Sequence, residues 1–391
     1  MTNITTIALS AVTIALLSGC GDTTVNQTPS NVTITTDSYN GNTTPTEPTE
    51  PTLPPAVEAC VDPTKQETLS GDLTNDKTLT ADTLWILDGL VAVKNGAILT
   101  IEPCTTVAGL AGTGDATSYM IIDKGAKIMA EGESSKPITF TSAKVAVDGG
   151  TGDVGQWGGL TLIGHAGNDQ VNPYEVNTAF FADATNMVDS SGILKHVKIL
   201  NSGITMAEDK EINGLSLVGV GSGTTIEDLT VDYSDDDCVE AWGGTVNLTN
   251  VTVSHCTDDH FDIDDGYSGT VKNLVINQTG GNAGIEMSGH TVATFDGFTI
   301  TQDSSNKEGG IYFKKDGIGG YFLNGTVIDN SVDGAGTLHS RGDADLGSIS
   351  FTNVTLEGTS SDNRFTDDAD NGGSASDIEE LFDNGTGNIV N

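Results

Sequence analysis

The chain has 391 residues and carries 55 Asp and Glu against 16 Lys and Arg, which gives a net charge of -39 at pH 7. This charge excludes nucleic acid and anionic membrane surfaces as electrostatic partners, and it suits divalent cations. With 49 Gly, 5% aromatic and 18% charged residues, the composition is neither that of a helical enzyme nor that of a disordered chain. It favours many short strands between turns.

The first 20 residues predict an export signal. An apolar stretch runs from Ile4 to Leu17, is short for a membrane span, and ends in the letters LSGC, with Cys20 last. It resembles a bacterial lipoprotein signal, which implies a signal peptide over residues 1–19 and a lipid on Cys20. Gly21 resembles the residue found in lipoproteins sorted to the outer membrane, which implies a place there, facing the cell exterior or the periplasm. Because no Lys or Arg precedes Cys20, an ordinary secretory signal or an uncleaved anchor is the alternative.

Residues 20–57 predict a tether. They include NTTPTEPTEPTLPP, contain no Lys or Arg and offer few large apolar side chains to bury. Such a spacer holds the folded part, predicted over residues 58–391, away from the membrane. The only predicted membrane contact is through the N-terminal lipid, and the alternative is a linker with no role beyond its length.

Four further cysteines form an even number in an exported context, where disulfides persist. The two local pairs predicted are Cys60 with Cys104 and Cys238 with Cys256. Metal ligation is the alternative, but no C-x-x-C spacing supports it.

From Thr80 onward, short apolar strands alternate with Gly, Asn and Asp turns. An apolar position recurs at residues 215, 239, 261, 285, 311 and 338, with spacings of 24, 22, 24, 26 and 27. A period in the twenties without helices predicts a solenoid of β-coils, stacked about 4.8 Å apart. The arrangement resembles the all-β right-handed parallel β-helix, the pectate-lyase-like fold, and an irregular β-sandwich is the alternative.

The open end of a solenoid needs a cap, because it exposes unpaired backbone. Near the C-terminus, SASDIEELF predicts a short capping helix with a capping box of Ser376 and Glu379. Its apolar face consists of Ile378, Leu381 and Phe382.

The register of the coils predicts two outward columns, because the residue after each inward apolar position faces outward. The first column holds Glu240, Asp262, Glu286, Tyr312 and His339. The second column, two residues further along each strand, holds Trp242, Asp264, Ser288, Lys314 and Arg341. Further acids stand at the turns before two of the strands, namely Asp235, Asp236, Asp237, Asp258 and Asp259.

Carboxylates about 5 Å apart repel each other, so the columns need neutralisation. Calcium is one candidate, because it takes six to eight oxygen ligands at flexible geometry. Its predicted ligands are Asp236, Asp237, Glu240, Asp258, Asp259, Asp262 and Asp264. Shared protons, as used in glycoside hydrolysis, are the second candidate. The third interpretation is a solvated acidic ladder without a site.

Aromatic and basic residues on the same face favour a glycan ligand. Trp242 is predicted as a sugar-stacking platform, with Tyr312 and His339 as further binding residues. Lys314 and Arg341 add positive charge, which suits an acidic polysaccharide or a cell-surface glycan. Each also has a structural interpretation, since Trp242 can pack against a turn, His339 can cap a strand and the cations can offset local charge.

Several segments resemble a group of bacterial surface β-helix proteins, often lipoproteins, in the pectate-lyase-like superfamily. They are DDDCVEAWGGTVN, TDDHFDIDDGYSGTV, GGNAGIEMSG, AKIMAEG and GQWGGLTLIG. The resemblance covers roughly Thr80 to Gly289 and implies the fold but no reaction. Of the polygalacturonase motifs only acidic pairs are present, without G-H-G or R-I-K. Pectate lyases use calcium held by carboxylates and an Arg or Lys base, but no diagnostic motif assigns those roles here.

The sequence thus predicts an outer-surface lipoprotein whose calcium-binding acidic face binds a polysaccharide or a cell-surface partner. The catalytic alternative is a calcium-dependent lyase with Lys314 or Arg341 as base, or a glycosidase with Asp262 and Glu286 as the carboxyl pair. A structural or adhesive stalk is a third class.

Overall fold

The computed structural model describes residues 59–391 except 168–171, 209, 304–306, 315–316, 332–334, 342–343, 359–363 and 369–374. These residues belong to one compact unit, Ala56–Asn391. The predicted signal peptide, Cys20 and the tether lie outside the described residues. No helix in the described part of the chain is long and apolar enough to cross a membrane.

The described residues are mostly short strands. The strands are β1 (Lys65–Leu73), β2 (Lys77–Leu79), β3 (Thr83–Val93), β4 (Ile98–Ile101), β5 (Thr106–Gly109), β6 (Tyr119–Ile122), β7 (Lys127–Glu131), β8 (Ile138–Ser142), β9 (Leu160–Ile163), β10 (Asn172–Pro173), β11 (Phe181–Ala182), β12 (Gly192–Leu200), β13 (Ile204–Ala207), β14 (Lys210–Ile212), β15 (Leu215–Val218), β16 (Thr225–Ser234), β17 (Val239–Trp242), β18 (Asn247–Cys256), β19 (Phe261–Asp264), β20 (Thr270–Gln278), β21 (Ala283–Met287), β22 (Val292–Gln302), β23 (Gly309–Phe313), β24 (Gly319–Asp329), β25 (Leu338–Ser340), β26 (Ser348–Thr352), β27 (Thr355–Gly358), β28 (Phe365–Asp367) and β29 (Ile389–Val390). The helices are α1 (Ala143–Ala146), α2 (Ala375–Asp383) and a 3-10 turn, Gly114–Ala116.

Strands of successive coils pair in parallel, and the chain winds as the right-handed parallel β-helix that the sequence predicted. One ladder, here called the site ladder, carries the outward columns. It runs from the second half of β3 through β6, β9, β15, β17, β19, β21, β23, β25 and β28. The predicted repeat is confirmed at each step, since residues 215, 239, 261, 285, 311 and 338 pair in that order.

The long strands of the other two faces share a corner in each coil. At this corner each of β12, β16, β18, β20, β22 and β24 contains a residue with positive φ, namely His196, Asp228, Asn250, Asn273, Gly297 and Asn324. A second residue with positive φ lies near the end of β16 and of β18, at Tyr233 and His255. Asn, Asp and Gly tolerate this conformation best. The corner amides also bond between coils, because the Asn273 Nδ2 donates to Asn250 Oδ1 at 2.9 Å. The corner therefore keeps neighbouring coils in register.

Aromatic rings stack along the core and end at the C-terminal cap. Phe322 stacks on Phe295 and on Phe351, with 5.3 Å between ring centroids in both pairs. Phe351 then contacts Phe382 of α2 at 5.5 Å. The predicted capping helix is confirmed, and its apolar face is buried. Because α2 begins at Ala375, Ser376 lies inside the helix and not at the predicted N-cap position.

Two antiparallel hairpins, here called the wall hairpins, leave the solenoid on either side of β12. They are the pairs β10–β11 and β13–β14. Their apolar side chains, with those of the turn in the first hairpin, pack on the outward face of the site ladder. The buried residues of this contact are Tyr174, Val176, Phe180, Ala182 and Ile212 from the hairpins, with Ala92, Tyr119, Ile121, Ile163 and Val218 from the ladder. The hairpins thus cover the upstream part of that face.

Both predicted disulfides are confirmed. Cys60 pairs with Cys104 and Cys238 with Cys256, with Cα–Cα distances of 5.4 and 5.5 Å. Cys238 follows the acidic turn directly, so the second bond lies just behind the predicted site.

Loss of the second disulfide should lower stability substantially. The bond closes a loop of 18 residues, for which chain entropy predicts a stabilisation of about 3 kcal/mol. We expect the double variant Cys238→Ser, Cys256→Ser to show this loss in denaturant unfolding. A loss below about 1 kcal/mol would contradict the entropic argument.

Candidate functional site

A cleft of about 580 Å³ lies on the outward face of the site ladder. Its described lining is dominated by carboxylates, with three basic residues. The lining consists of Glu175, Glu211, Asp236, Asp237, Glu240, Asp258, Asp259, Asp262, Asn282, Glu286, Lys307, Glu308, Tyr312, Lys314, Arg341 and Asp368. The columns predicted from the repeat therefore meet in one cleft, except for three residues and for His339, which lies beside it.

The exceptions are Trp242, Asp264 and Ser288, which are not part of the lining. The Trp242 ring packs edge-on against Tyr174 of the first wall hairpin, with 6.0 Å between centroids. One Asp264 carboxylate oxygen accepts a hydrogen bond from the Asp265 N–H at 2.5 Å. Trp242 thus packs against the first wall hairpin, and Asp264 does not line the cleft with the other predicted ligands.

His339 lies next to the cleft and supports its wall. Its ring lies against that of Tyr312, tilted by 32° with 5.1 Å between centroids, and its Nε2 lies 3.2 Å from Asp368 Oδ1. The Tyr312 hydroxyl donates to the other Asp368 oxygen at 2.9 Å. Together with Arg341, these groups form a mixed polar end of the cleft, in contrast to the purely acidic turns.

The turn acids hold neighbouring coils together. Asp237 Oδ1 accepts a hydrogen bond from the Asp259 N–H at 2.7 Å, and Asp259 Oδ1 accepts one from the Ala283 N–H at 2.5 Å. Each carboxylate therefore caps the turn of the next coil. This is why paired acids return in register before successive strands.

Most of the acidic side chains are removed from water. Asp262 is 8% and Glu286 2% exposed, so the first column is not a solvated ladder. Burial, followed by repulsion from neighbouring carboxylates, raises the pKa of Asp237, Glu240, Asp259 and Asp262 well above the usual range. Burial and the charges of Asp258, Glu211 and Glu175 raise the pKa of Asp236 to about 8. The cluster thus needs protons or a cation.

The carboxylates form three groups whose oxygen atoms lie within 4.8 Å of one another. The groups are Asp236, Asp237 and Asp258, then Asp237, Glu240 and Asp262, and then Asp259, Glu286 and Glu308. Glu286 therefore falls in a different group from Glu240 and Asp262. In the second group, the buried Asp262 Oδ1 has no hydrogen-bond partner. Oxygen donors of this kind fit calcium.

Lys314 is a cation in this arrangement. Its Nζ lies 2.6 Å from Glu286 Oε1. Burial lowers the pKa of Lys314, but the charges of Glu286, Asp262 and Asp259 outweigh it and raise the pKa above its usual value. Lys314 therefore stays protonated beside these carboxylates and is poorly suited to act as a base.

Replacing Lys314 by Met should destabilise the protein in calcium-free buffer. It leaves the Glu286 carboxylate, whose side chain is 3% exposed, without its ion pair. We expect a loss of about 3 kcal/mol, the lower limit for breaking a buried pair, because the Lys314 side chain is 37% exposed. The matched control is Lys307→Met, since Lys307 is 74% exposed in its pair with Glu308 and should contribute below about 1 kcal/mol. Equal losses in the two variants would contradict this assignment.

The sequence interpretation missed several lining residues. Glu308 and Asn282 could have been found, because they stand three residues before a recurring apolar position, as Asp236 and Asp258 do. Asn213 holds the Glu240 carboxylate through its Nδ2 at 2.5 Å. The sequence period could not indicate Glu175 and Glu211 as lining residues, because both lie in the wall hairpins, which interrupt the repeat.

Comparison with known proteins supports the fold. Residues 71–391 match the family model of the pectate-lyase like beta helix domain. No curated protein matches the chain.

Among solved structures, similarity is found to full-length tailspike protein 2 of an Escherichia coli bacteriophage, with 15% identity, TM-score 0.26, and 70% of this chain and 38% of that chain covered. The enzymatically active domain of bacteriophage CBA120 tailspike protein 2 gives 16% identity and a TM-score of 0.26, with 73% of this chain and 43% of that chain covered. The Dettilon tailspike protein gives 9% identity and a TM-score of 0.26, with 80% of this chain and 61% of that chain covered. The match thus spans less than two thirds of each of these chains.

The matched region begins at residue 71, near the end of β1, and includes all later described strands. It therefore includes every coil that lines the cleft. On this evidence the chain belongs to the family of proteins with a pectate-lyase-like β-helix domain.

Proposed function

We propose that the chain is an outer-membrane lipoprotein whose acidic cleft binds calcium and, with it, a polysaccharide or a cell-surface glycan. The single observation that carries the proposal is the buried Asp262 Oδ1, which has no hydrogen-bond partner inside a cleft lined by carboxylates. A buried acceptor of this kind costs about 1–3 kcal/mol unless a ligand satisfies it.

Calcium fits the groups around Asp262 by charge and by ligand type. Asp237, Glu240 and Asp262 bring carboxylate oxygens within 4.8 Å of one another, and Asn213 orients Glu240. Calcium takes six to eight oxygens, including water, so these three residues supply only part of its shell. Solvent or ligand oxygens would fill the remainder.

The shape of the cleft favours a linear ligand. Its lining extends along the site ladder from Glu240 to Asp368, a distance of five coil steps or about 24 Å. Hydroxyl-rich chains match this mixture of carboxylates and donors, and Arg341 and Lys314 add cationic groups for an acidic glycan.

A catalytic role on the same face is the second candidate. Its support is the raised pKa of Asp262, because a buried carboxyl whose pKa is raised can act as a general acid. In a glycosidase, Asp262 and Glu286 would form the carboxyl pair. In a lyase, Lys314 or Arg341 would be the base, and the ion pair with Glu286 disfavours that role for Lys314.

The experiment that tests the proposal measures binding and cleavage together. Residues 58–391 are assayed for retention on, and reducing-end release from, neutral and uronic-acid polysaccharides, with calcium or with chelator. We expect calcium-dependent retention that Asp262→Asn abolishes. Release that depends on Asp262 would establish an enzyme, and ultraviolet absorbance of the product would separate lyase from hydrolase. The absence of both retention and release across the whole panel would contradict the glycan proposal and favour a stalk.

The lipid anchor has a separate test. Full-length protein with Cys20→Ser should lose labelling by a radioactive fatty acid and leave the membrane fraction. Membrane association that survives this substitution would contradict lipidation at Cys20.

A further inference from the structure

The cleft is closed at one end by the wall hairpins. The residues that precede Glu240 in its outward column are Ser216, Thr161, Ile121 and Ala92, one on each earlier coil of the site ladder. All four are fully buried. The wall hairpins therefore cover the outward column as far as Ser216, and the cleft begins at Glu240.

Tyr174 is the centre of this closure. It is 1% exposed, and its hydroxyl accepts a hydrogen bond from Thr161 Oγ1 at 3.2 Å. Its ring also meets the edge of Trp242, which is two residues beyond Glu240. The first hairpin thus covers β9 and β15 and reaches the coil where the cleft begins.

The hairpins are anchored at several further points. Lys124 Nζ lies 3.4 Å from the Phe181 ring centroid and 3.3 Å from Asp183 Oδ2. Lys94 lies over the Phe180 ring at 5.2 Å. Apolar packing and these cation contacts make the closure a fixed part of the fold.

Two carboxylates of the hairpins form the end surface itself. Glu175 and Glu211 line the cleft, and the Glu211 N–H donates to Glu175 Oε1 at 3.3 Å. Carboxylates in such a position accept hydrogen bonds from sugar hydroxyls. A ligand lying along the column from Asp368 towards Glu240 meets these groups and cannot continue over β15.

We propose that the cleft receives the end of a glycan chain and that the wall hairpins act as its stop. Glu175 and Glu211 are then specificity-determining residues that contact the terminal sugar. This inference rests on the proposed glycan-binding function. It adds that interior segments of a long polymer are poor ligands, because a continuous chain would have to pass through the volume occupied by Tyr174 and its neighbours.

The test is competition in affinity electrophoresis of the full-length protein, using whichever polysaccharide of the panel retains it. The free competitor is the same polysaccharide, either intact or fragmented so that the number of chain ends rises about tenfold. End recognition predicts that fragments compete about tenfold better per gram, because binding follows the concentration of ends. Equal or weaker competition per gram would overturn the inference while leaving the proposed function intact. No retention by any polysaccharide would overturn the proposed function and this inference with it.

Variants of the wall separate its role from general stability. Tyr174→Ala should loosen the stop and reduce the advantage of fragments over intact polymer, whereas Tyr174→Phe keeps the ring and should behave as the parent. If Tyr174→Ala does not fold, Glu175→Gln with Glu211→Gln replaces it. That pair should weaken competition by fragments and by intact polymer alike, about tenfold, equivalent to 1.4 kcal/mol, because both bind through their ends. An unchanged ratio of the two competitors in folded Tyr174→Ala, or undiminished competition by fragments in the Glu175→Gln, Glu211→Gln variant, would overturn the inference.

Discussion

Asp262→Asn should abolish most of the rise in melting temperature that calcium produces in residues 58–391. At calcium 100-fold above its dissociation constant, binding to the folded state contributes about 2.7 kcal/mol. For a domain of this size the corresponding rise is about 4 °C. Without calcium, the variant should be neutral or slightly more stable than the parent, because it removes one of the repelling carboxylates.

The matched control for this experiment is Asp264→Asn. Asp264 stands two residues further along the same strand, but it does not line the cleft. Its variant should therefore keep the full calcium response. Loss of the response in both variants, or in neither, would contradict the assignment of Asp262 to the cation site.

In metal-free buffer, stability should fall as pH rises from 5 to 7. The folded state holds the pKa of Asp236 at about 8, above its value in an unfolded chain, so the folded state retains a proton that the unfolded state releases. The loss is about 1.4 kcal/mol per pH unit for one such group, or about 3 kcal/mol over this window. Differential scanning calorimetry should show a decrease of about 4 °C in melting temperature.

Calcium and Asp236→Asn should both flatten this profile. Calcium replaces the retained protons, and the amide removes the titrating group. The carboxyls of Asp82 and Asp183 do not disturb the window. Burial raises the pKa of Asp183, but hydrogen bonds from neighbouring side chains outweigh it, and such bonds lower the pKa of both carboxyls to about 2, so their contribution is lost only in stronger acid. A melting temperature that rises from pH 5 to 7 in metal-free buffer would contradict the assignment.

The fold could be predicted because the repeat is visible at single residues. One apolar position per coil, at Leu215, Val239, Phe261 and their successors, determines which coils pair and which side chains face outward. The same count places Glu240 and Asp262 in one column. Local geometry in a parallel ladder repeats with the coil, so a sequence period becomes a spatial column.

The environment of those columns could not be predicted from the period. The wall hairpins lie outside the repeat, and no residue count shows that Tyr174 packs on Trp242 and that Glu175 reaches the cleft. For the same reason the sequence does not decide between an exposed Trp242 platform and a packed Trp242 ring. Burial of Asp262 and Glu286 also depends on the turns and hairpins around them, which alternation along a strand does not specify.

Calcium binding at Asp262 is tested most directly by a crystal structure of residues 58–391 grown with calcium, examined for anomalous scattering. We expect a calcium ion about 2.3–2.6 Å from carboxylate oxygens of Asp237, Glu240 and Asp262, with the Asp262 Oδ1 as a ligand. A cleft that contains no calcium at saturating concentration, with these carboxylates bonded only to water or to each other, would contradict it.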